Sequence, residues 1–300
     1  MAGVLMRFLC FVLAASPLAA QEPLFRADED TPARNAVVNI GNCTGTLISD
    51  TVVLTAAHCW PLDRRRPDVA QGVLPCAGLD QQWDLQGAPR PATTGWQPVN
   101  AAAPPFMVRI GATTGRTRMA TKVTAYALPL CADIALLQVA RRVPPTVAVP
   151  IPVLTEPPEL APGADPFEGM GLRHAGWGGG RTATGRRLRR TGPVSYWSEN
   201  GCHIFALPTL RENGMRIEGG DSGSPLIATA KGQDYVAAIL FGRGIPDAEV
   251  CGLPLLRPPE RHGVYTPTWR GTIADTDATD IGAWIGELVP RAVAAWPSGD

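Results

Sequence analysis

The chain has 300 residues, 45% hydrophobic and 18% charged, enough apolar material for one large or two medium domains. With 27 basic and 27 acidic side chains the formal net charge is zero, which excludes a global field favouring nucleic acid or a membrane surface. Thirty-two glycines and 30 prolines imply frequent turns and short strands, so an all-β reading is preferred to a helical one.

In chain order, Arg7 precedes an apolar run from Phe8 to Ala15, and Ser16-Pro17-Leu18-Ala19-Ala20 ends in small residues. Residues 1–20 therefore read as a secretory signal peptide cut after Ala20. The run is too short to span a bilayer and no later segment qualifies, so no membrane insertion is expected once the signal is removed. Setting Cys10 aside, six of the seven cysteines remain, an even number in an exported chain. The mature protein is expected to be secreted or periplasmic and disulfide-bonded. The signal, with the bias to Arg, Ala and Pro, points to a bacterial source.

Residues 21–35 are charged and irregular and read as a surface, pro-like N-terminal segment. Ala36–Ile40 reads as a strand. Cys43–Ser49 and Thr51–Cys59 are β-branched apolar runs flanking Ser49-Asp50, the pattern of a hairpin. Cys43 and Cys59 bracket it; paired, they would close a loop of about 15 residues and contribute roughly 3 kcal/mol on the chain-entropy account. The bond would also fix where His58 leaves its strand. His58 is one of four histidines, with His174, His203 and His262. Its place at the end of an apolar strand leaves both a structural and a catalytic role open.

Residues 60–105 form a long irregular insertion containing Arg64-Arg65-Arg66, read as a solvated face, and Cys76. Phe106–Ile110 and Thr121–Ala127 read as strands. Asp133 leads directly into the apolar run Ile134–Val139. It is either an exposed acid at a strand start or a buried acceptor, and burial demands hydrogen bonds. A proline-rich linker covers Val143–Asp165. A second strand-rich half follows, with Gly176-Trp177-Gly178, an Arg-rich hairpin at 186–190, and strands at Val236–Phe241 and Gly263–Thr266. Apolar positions at Ile281, Trp284, Ile285, Leu288 and Val289 predict a closing helix over 280–295.

The chemistry centres on Gly219-Gly220-Asp221-Ser222-Gly223-Ser224-Pro225-Leu226. Glycines on both sides of Ser222 permit a tight turn that lifts one hydroxyl and gathers N–H groups into a concavity suited to an oxyanion. A serine hydroxyl needs a base, and the base an orienter. Alone, the string is also ordinary turn chemistry.

Taken together, Leu54-Thr55-Ala56-Ala57-His58-Cys59, Asp133-Ile134-Ala135-Leu136-Leu137, Gly176-Trp177-Gly178 and Gly220-Asp221-Ser222-Gly223-Ser224-Pro225 resemble the trypsin/chymotrypsin family of serine proteases, in that family's chain order. The resemblance implies two antiparallel six-stranded β-barrels with a C-terminal helix. The first barrel would span 36–150 and the second, with the helix, 151–290, leaving 291–300 as a tail. It implies His58 as general base, Asp133 as its orienter, Ser222 as nucleophile and the N–H groups of Gly220 and Ser222 as oxyanion hole. A secreted serine endopeptidase is the leading expectation. A weak or inactive binding or regulatory protein on the same scaffold is the runner-up. An esterase is less favoured because the Gly-x-Ser-x-Gly elbow is missing. No metal or other cofactor is expected, the partner being a protein or peptide substrate of a monomeric enzyme.

Three departures stand out. The family frees an Ile- or Val-led N-terminus whose ammonium pairs with the acid before the nucleophile, here Asp221. No such activation sequence is present, Arg34 being the nearest basic residue. Arg216 stands where trypsins carry a pocket acid, which disfavours Lys or Arg at P1 or else simply points to solvent. Phe241, Gly242 and Gly263 match the family's pocket walls. Leu240 falls where a serine usually supports the triad acid. Finally, Cys202 and Cys251 lack their usual partners and are expected to pair with each other, leaving Cys76–Cys131 to tether the insertion.

Overall fold

The computed structural model describes residues 26–60, 95–102, 104–129, 132–156, 164–181, 183–185, 187–199, 204–208, 217–243, 263–269 and 280–297. The chain opens with β1 (Arg26–Ala27) and then builds the first sheet from β2 (Val37–Asn39), β3 (Thr44–Leu47), β4 (Val52–Thr55), β5 (Gln97–Pro98), β6 (Met107–Ile110), β7 (Met119–Ala127) and β8 (Ala135–Val139). Pairings run β7-β6-β2-β3-β4-β8 and return from β8 to β7, so six strands close on themselves, with β5 appended to β7. The alternation predicted for a half-buried strand is clearest in β7, where residues from Met119 to Ala127 alternate between core and solvent. The hairpin expected around Ser49-Asp50 is β3–β4, with Gly45 opposite Thr55 and Leu47 opposite Val53.

The second sheet holds β9 (Val153–Leu154), β10 (Gly171–Gly176), β11 (Arg190–Glu199), β12 (Ile204–Pro208), β13 (Pro225–Ala230), β14 (Gln233–Arg243), β15 (Gly263–Pro267) and β16 (Val293–Ala294). The order β13-β10-β11-β12-β15-β14 closes through the β13–β14 hairpin, giving a second ring of six antiparallel strands. Two such barrels and a C-terminal helix are the chymotrypsin-like architecture that the motifs implied. Each closed ring removes the unpaired edges that an open sheet would expose.

Three segments differ from their sequence reading. The helix α1 runs only from Ile281 to Leu288, capped by Asp280, whose carboxylate accepts from Ala283 N at 2.9 Å. Pro290 lacks an N–H and biases Val289 toward extended backbone, so the chain leaves the helix there and continues as a 3-10 turn and β16. The proline-rich linker is not free of structure either, because β9 pairs in parallel with β14 and β16. And the N-terminal segment is not wholly irregular and on the surface: β1 pairs with β11, while Asp28 and Asn35 are buried. Their partner is Arg189, a fully buried guanidinium that donates to Asp28 Oδ2 at 2.8 Å, Asn35 Oδ1 at 3.1 Å, Val37 O at 3.2 Å and Gly111 O at 3.3 Å. Five donors in a rigid fork suit arginine to such a junction.

One apolar cluster fills the first barrel and continues through Ala175, Trp177, Ile227 and Ile239 of the second to Trp284 and Ile285 of α1. A smaller cluster around Phe167, Leu226, Leu240 and Tyr265 fills the second barrel. Trp177 is the joint: its ring is buried and its Nε1 donates to Val37 O of β2. Among the described residues, no helix is long and apolar enough to cross a membrane.

Candidate active site

The first barrel delivers His58 and Asp133. Strand β4 ends at Thr55 and passes into a 3-10 turn, Ala57–Cys59, that carries His58. The expected disulfide joins Cys43 to Cys59, with 5.9 Å between the Cα atoms, and staples that turn to the start of β3. Asp133 precedes β8, which pairs with β4, so the acid and the histidine come from adjacent strand ends. The alternatives for Asp133 resolve in favour of a buried acceptor: its side chain is 4% exposed and takes two hydrogen bonds from one residue. His58 N donates to Oδ1 at 2.9 Å, and His58 Nδ1 lies 2.7 Å from Oδ2. A carboxylate facing Nδ1 holds the proton there, which leaves Nε2 as the basic nitrogen of the ring.

Ser222 lies in the turn before β13 and is half-buried. Its carbonyl accepts from Thr44 N at 2.8 Å. Gly223 follows with φ +80°, and a Cβ there would run into Thr44 O and Thr55 Oγ1 and lie 3.1 Å from Ala56 N. Only glycine fits a left-handed position pressed that tightly against backbone. Ala56 is two residues from His58, so the serine turn abuts the strand end that carries the imidazole. Three N–H groups of the turn are taken: Asp221 N donates to Glu218 O, Gly223 N to Leu240 O and Ser224 N to Asp221 O. Among the described residues, the N–H groups of Gly220 and Ser222 meet no backbone acceptor.

The residues expected to wall a pocket divide. Phe241 is the bulged residue of β14, opposite the step between Tyr265 and Val264, and its ring stands edge-on to His58 at 5.9 Å between centroids. A Cβ on Gly242 would meet nothing within 4 Å among the described residues, whereas one on Gly263 would strike Ile217 Cδ1 and the Tyr265 ring. Ile217, buried at the base of the serine turn, narrows the space in front of Gly263. Arg216, Cys76, Cys131, Cys202 and Cys251 lie outside the described residues.

Two contributors were not singled out in the sequence. Thr44 is fully buried; its Oγ1 donates to Gly220 O at 2.8 Å and accepts from Trp177 N at 3.0 Å, linking the two barrels at the serine turn. Its only sequence signal is its place next to Cys43. The second is the setting of Asp221, which is 1% exposed. Its carboxylate accepts from Gly178 N at 2.7 Å and Glu218 N at 2.9 Å, and lies 3.6 Å from His174 Nε2 and 3.5 Å from Arg190 Nη2. Burial alone would raise its pKa; the His174 contact and charge, with the two N–H donors, outweigh burial and hold it below the usual carboxylate range.

A family model described as Trypsin matches residues 27–75, the stretch carrying β1 to His58 and the disulfide. The likeness is to trypsins. Among solved structures, neuropsin, a serine protease expressed in the limbic system of mouse brain, is 18% identical with a TM-score of 0.47, the match covering 80% of this chain and 92% of that one. Among curated proteins, none matches.

Proposed function

We propose that the protein is an exported serine endopeptidase that cleaves peptide bonds through an acyl-enzyme. The observation that carries this is the His58 Nδ1–Asp133 Oδ2 contact at 2.7 Å, on a strand end against which the Ser222 turn is packed. Ser222 Oγ gives its proton to His58 Nε2 as it bonds to the scissile carbonyl carbon. The carbonyl oxygen takes up the electron pair as an oxyanion facing the Gly220 and Ser222 N–H groups. When the C–N bond breaks, His58 returns the proton to the departing amine. Water then repeats the sequence, losing its proton to His58 and releasing the acid from Ser222. Asp133 stays ionised and stabilises the imidazolium between steps.

The Trypsin match over 27–75 supports the protease class, and the Cys43–Cys59 bond is in keeping with an oxidising compartment. Phe241 puts an apolar ring beside His58, and Ile217 limits the space at Gly263.

Labelling with a fluorophosphonate probe tests the assignment, with Ser222→Ala as control. Ser222-dependent labelling is expected. Its absence from every form of the chain, including chain treated by limited proteolysis, overturns the active enzyme and favours a binding protein on this scaffold.

A further inference from the structure

A carboxylate as deeply buried as that of Asp221 must be paired, because an isolated ion there would be very costly. In the family that the motifs resemble, the partner is an ammonium freed by cleavage. Here the surroundings supply the partners from within the chain. We propose that His174, assisted by Arg190, is the positioning residue that holds Asp221 and thereby organises the Ser222 turn without N-terminal cleavage. The inference rests on Ser222 being the nucleophile.

Among the described residues, groups from several elements surround Asp221. From β10 comes His174 Nε2, 3.6 Å from Oδ1, and from β11 comes Arg190 Nη2, 3.5 Å from Oδ2. The loop after β10 gives Gly178 N, and the serine turn itself gives Glu218 N. The Glu218 carboxylate lies against Gly179, the residue after the Gly178 whose N–H Asp221 accepts. Behind His174 stands Tyr265 of β15, its hydroxyl 3.0 Å from Nδ1.

Tyr265 backs this chain of contacts. It is completely buried, and burial first and the Asp221 charge second push its pKa far above the usual phenol range. Its O–H therefore keeps its proton wherever the protein is folded. When it donates to His174 Nδ1, the imidazole carries its proton on Nε2, facing Asp221. At 3.6 Å this contact is longer than a standard hydrogen bond, so charge and dipole at short range carry it rather than an ideal bond.

Among the described residues, the glycines of β10 and of the loop after it also pass close to Asp221. A Cβ on Gly176 would collide with Asp221 Oδ1 and Ser224 Oγ, and one on Gly178 with both carboxylate oxygens. The N-terminal segment is meanwhile engaged elsewhere: β1 lies on β11, Asp28 is paired with Arg189, and Asn35 Nδ2 donates to Val147 O at 3.1 Å.

The first test reads the N-terminus of the active population. The full chain is labelled with the fluorophosphonate probe, and the labelled molecules are analysed by intact mass and N-terminal sequencing. Labelled chains beginning upstream of Arg26 are expected. Labelling confined to molecules newly cut between residues 26 and 40 overturns the inference while leaving the protease assignment standing. No labelling of any form overturns both. The second test is kinetic. For His174→Phe, kcat on a small ester is expected to fall roughly 10–100-fold, the size expected for losing a contact to a charged group that positions the oxyanion donors. KM should move less than about threefold, because ground-state contacts are untouched. His174→Gln, which keeps an N–H donor, should recover much of the rate. Equal losses in both variants, or a change confined to KM, overturn the positioning role. If His174→Phe does not fold, Arg190→Gln gives the same readout with a smaller fall in kcat.

Discussion

Replacing Thr44 with Val removes a hydroxyl while keeping the shape of the side chain. That hydroxyl serves two buried backbone groups from opposite barrels: it donates to Gly220 O at 2.8 Å and accepts from Trp177 N at 3.0 Å. Valine leaves both without a partner in a place with no solvent access. An orphaned buried backbone group costs about 1–3 kcal/mol, so the expected loss is about 2–5 kcal/mol. Against a total stability of roughly 5–15 kcal/mol this is a large fraction. The loss should appear as a lower urea midpoint at unchanged m-value, followed by tryptophan fluorescence. Because Gly220 also presents a proposed oxyanion N–H, kcat should fall even where the variant is fully folded. Thr44→Ser, which retains the hydroxyl, should lose little rate. A Thr44→Val protein with a midpoint change worth less than about 0.5 kcal/mol and an unaltered kcat would refute the view that this hydroxyl ties the barrels together at the serine turn.

Two further outcomes follow from features already described. Replacing Cys43 and Cys59 by Ser opens a loop of about 15 residues, so stability should drop by roughly 3 kcal/mol, read as a lower Tm under non-reducing conditions. For pH, Asp234 is held below the usual carboxylate range: burial acts to raise its pKa, but the Arg173 charge and the Thr229 hydroxyl outweigh it. A depressed carboxylate adds stability that is present above its unfolded value near pH 4 and is lost as pH falls through the lower folded value. Asp234→Asn should therefore be less stable than the parent at pH 7, and its urea midpoint should fall less steeply below pH 4.

The parts of the site that sequence made legible are those written in contiguous strings. His58 sits at the end of an apolar run beside a cysteine with a matching partner, and Ser222 between glycines, so local chemistry pointed to both. Asp133 was half-legible: its place before an apolar strand was plain, but only the β4–β8 pairing brings His58 to it and decides burial over exposure. The bulge that turns Phe241 toward His58 left no mark of its own in the sequence. Thr44, His174 and Arg189 were hidden for a common reason. Their partners lie 176, 91 and 161 residues away for Gly220, Tyr265 and Asp28, and each looked like an ordinary strand or hairpin residue until the barrels closed. Arg189 was read only as part of an Arg-rich hairpin; the cost of burying its charge is met by an acid in the very segment that had been read as surface.

That pairing also imposes an order of events on folding. The first residues of the described chain, Arg26 to Asn35, can take their final positions only after residue 189 has been made and the start of β11 has formed. Closing a connection across 161 residues is slow, because the entropy lost in bringing its ends together precedes any reward from the contact. The first barrel can close on its own strands before then, since all its pairings lie between residues 37 and 139. The N-terminal segment is thus early in synthesis and late in assembly, and its docking marks the moment at which the two halves become one molecule.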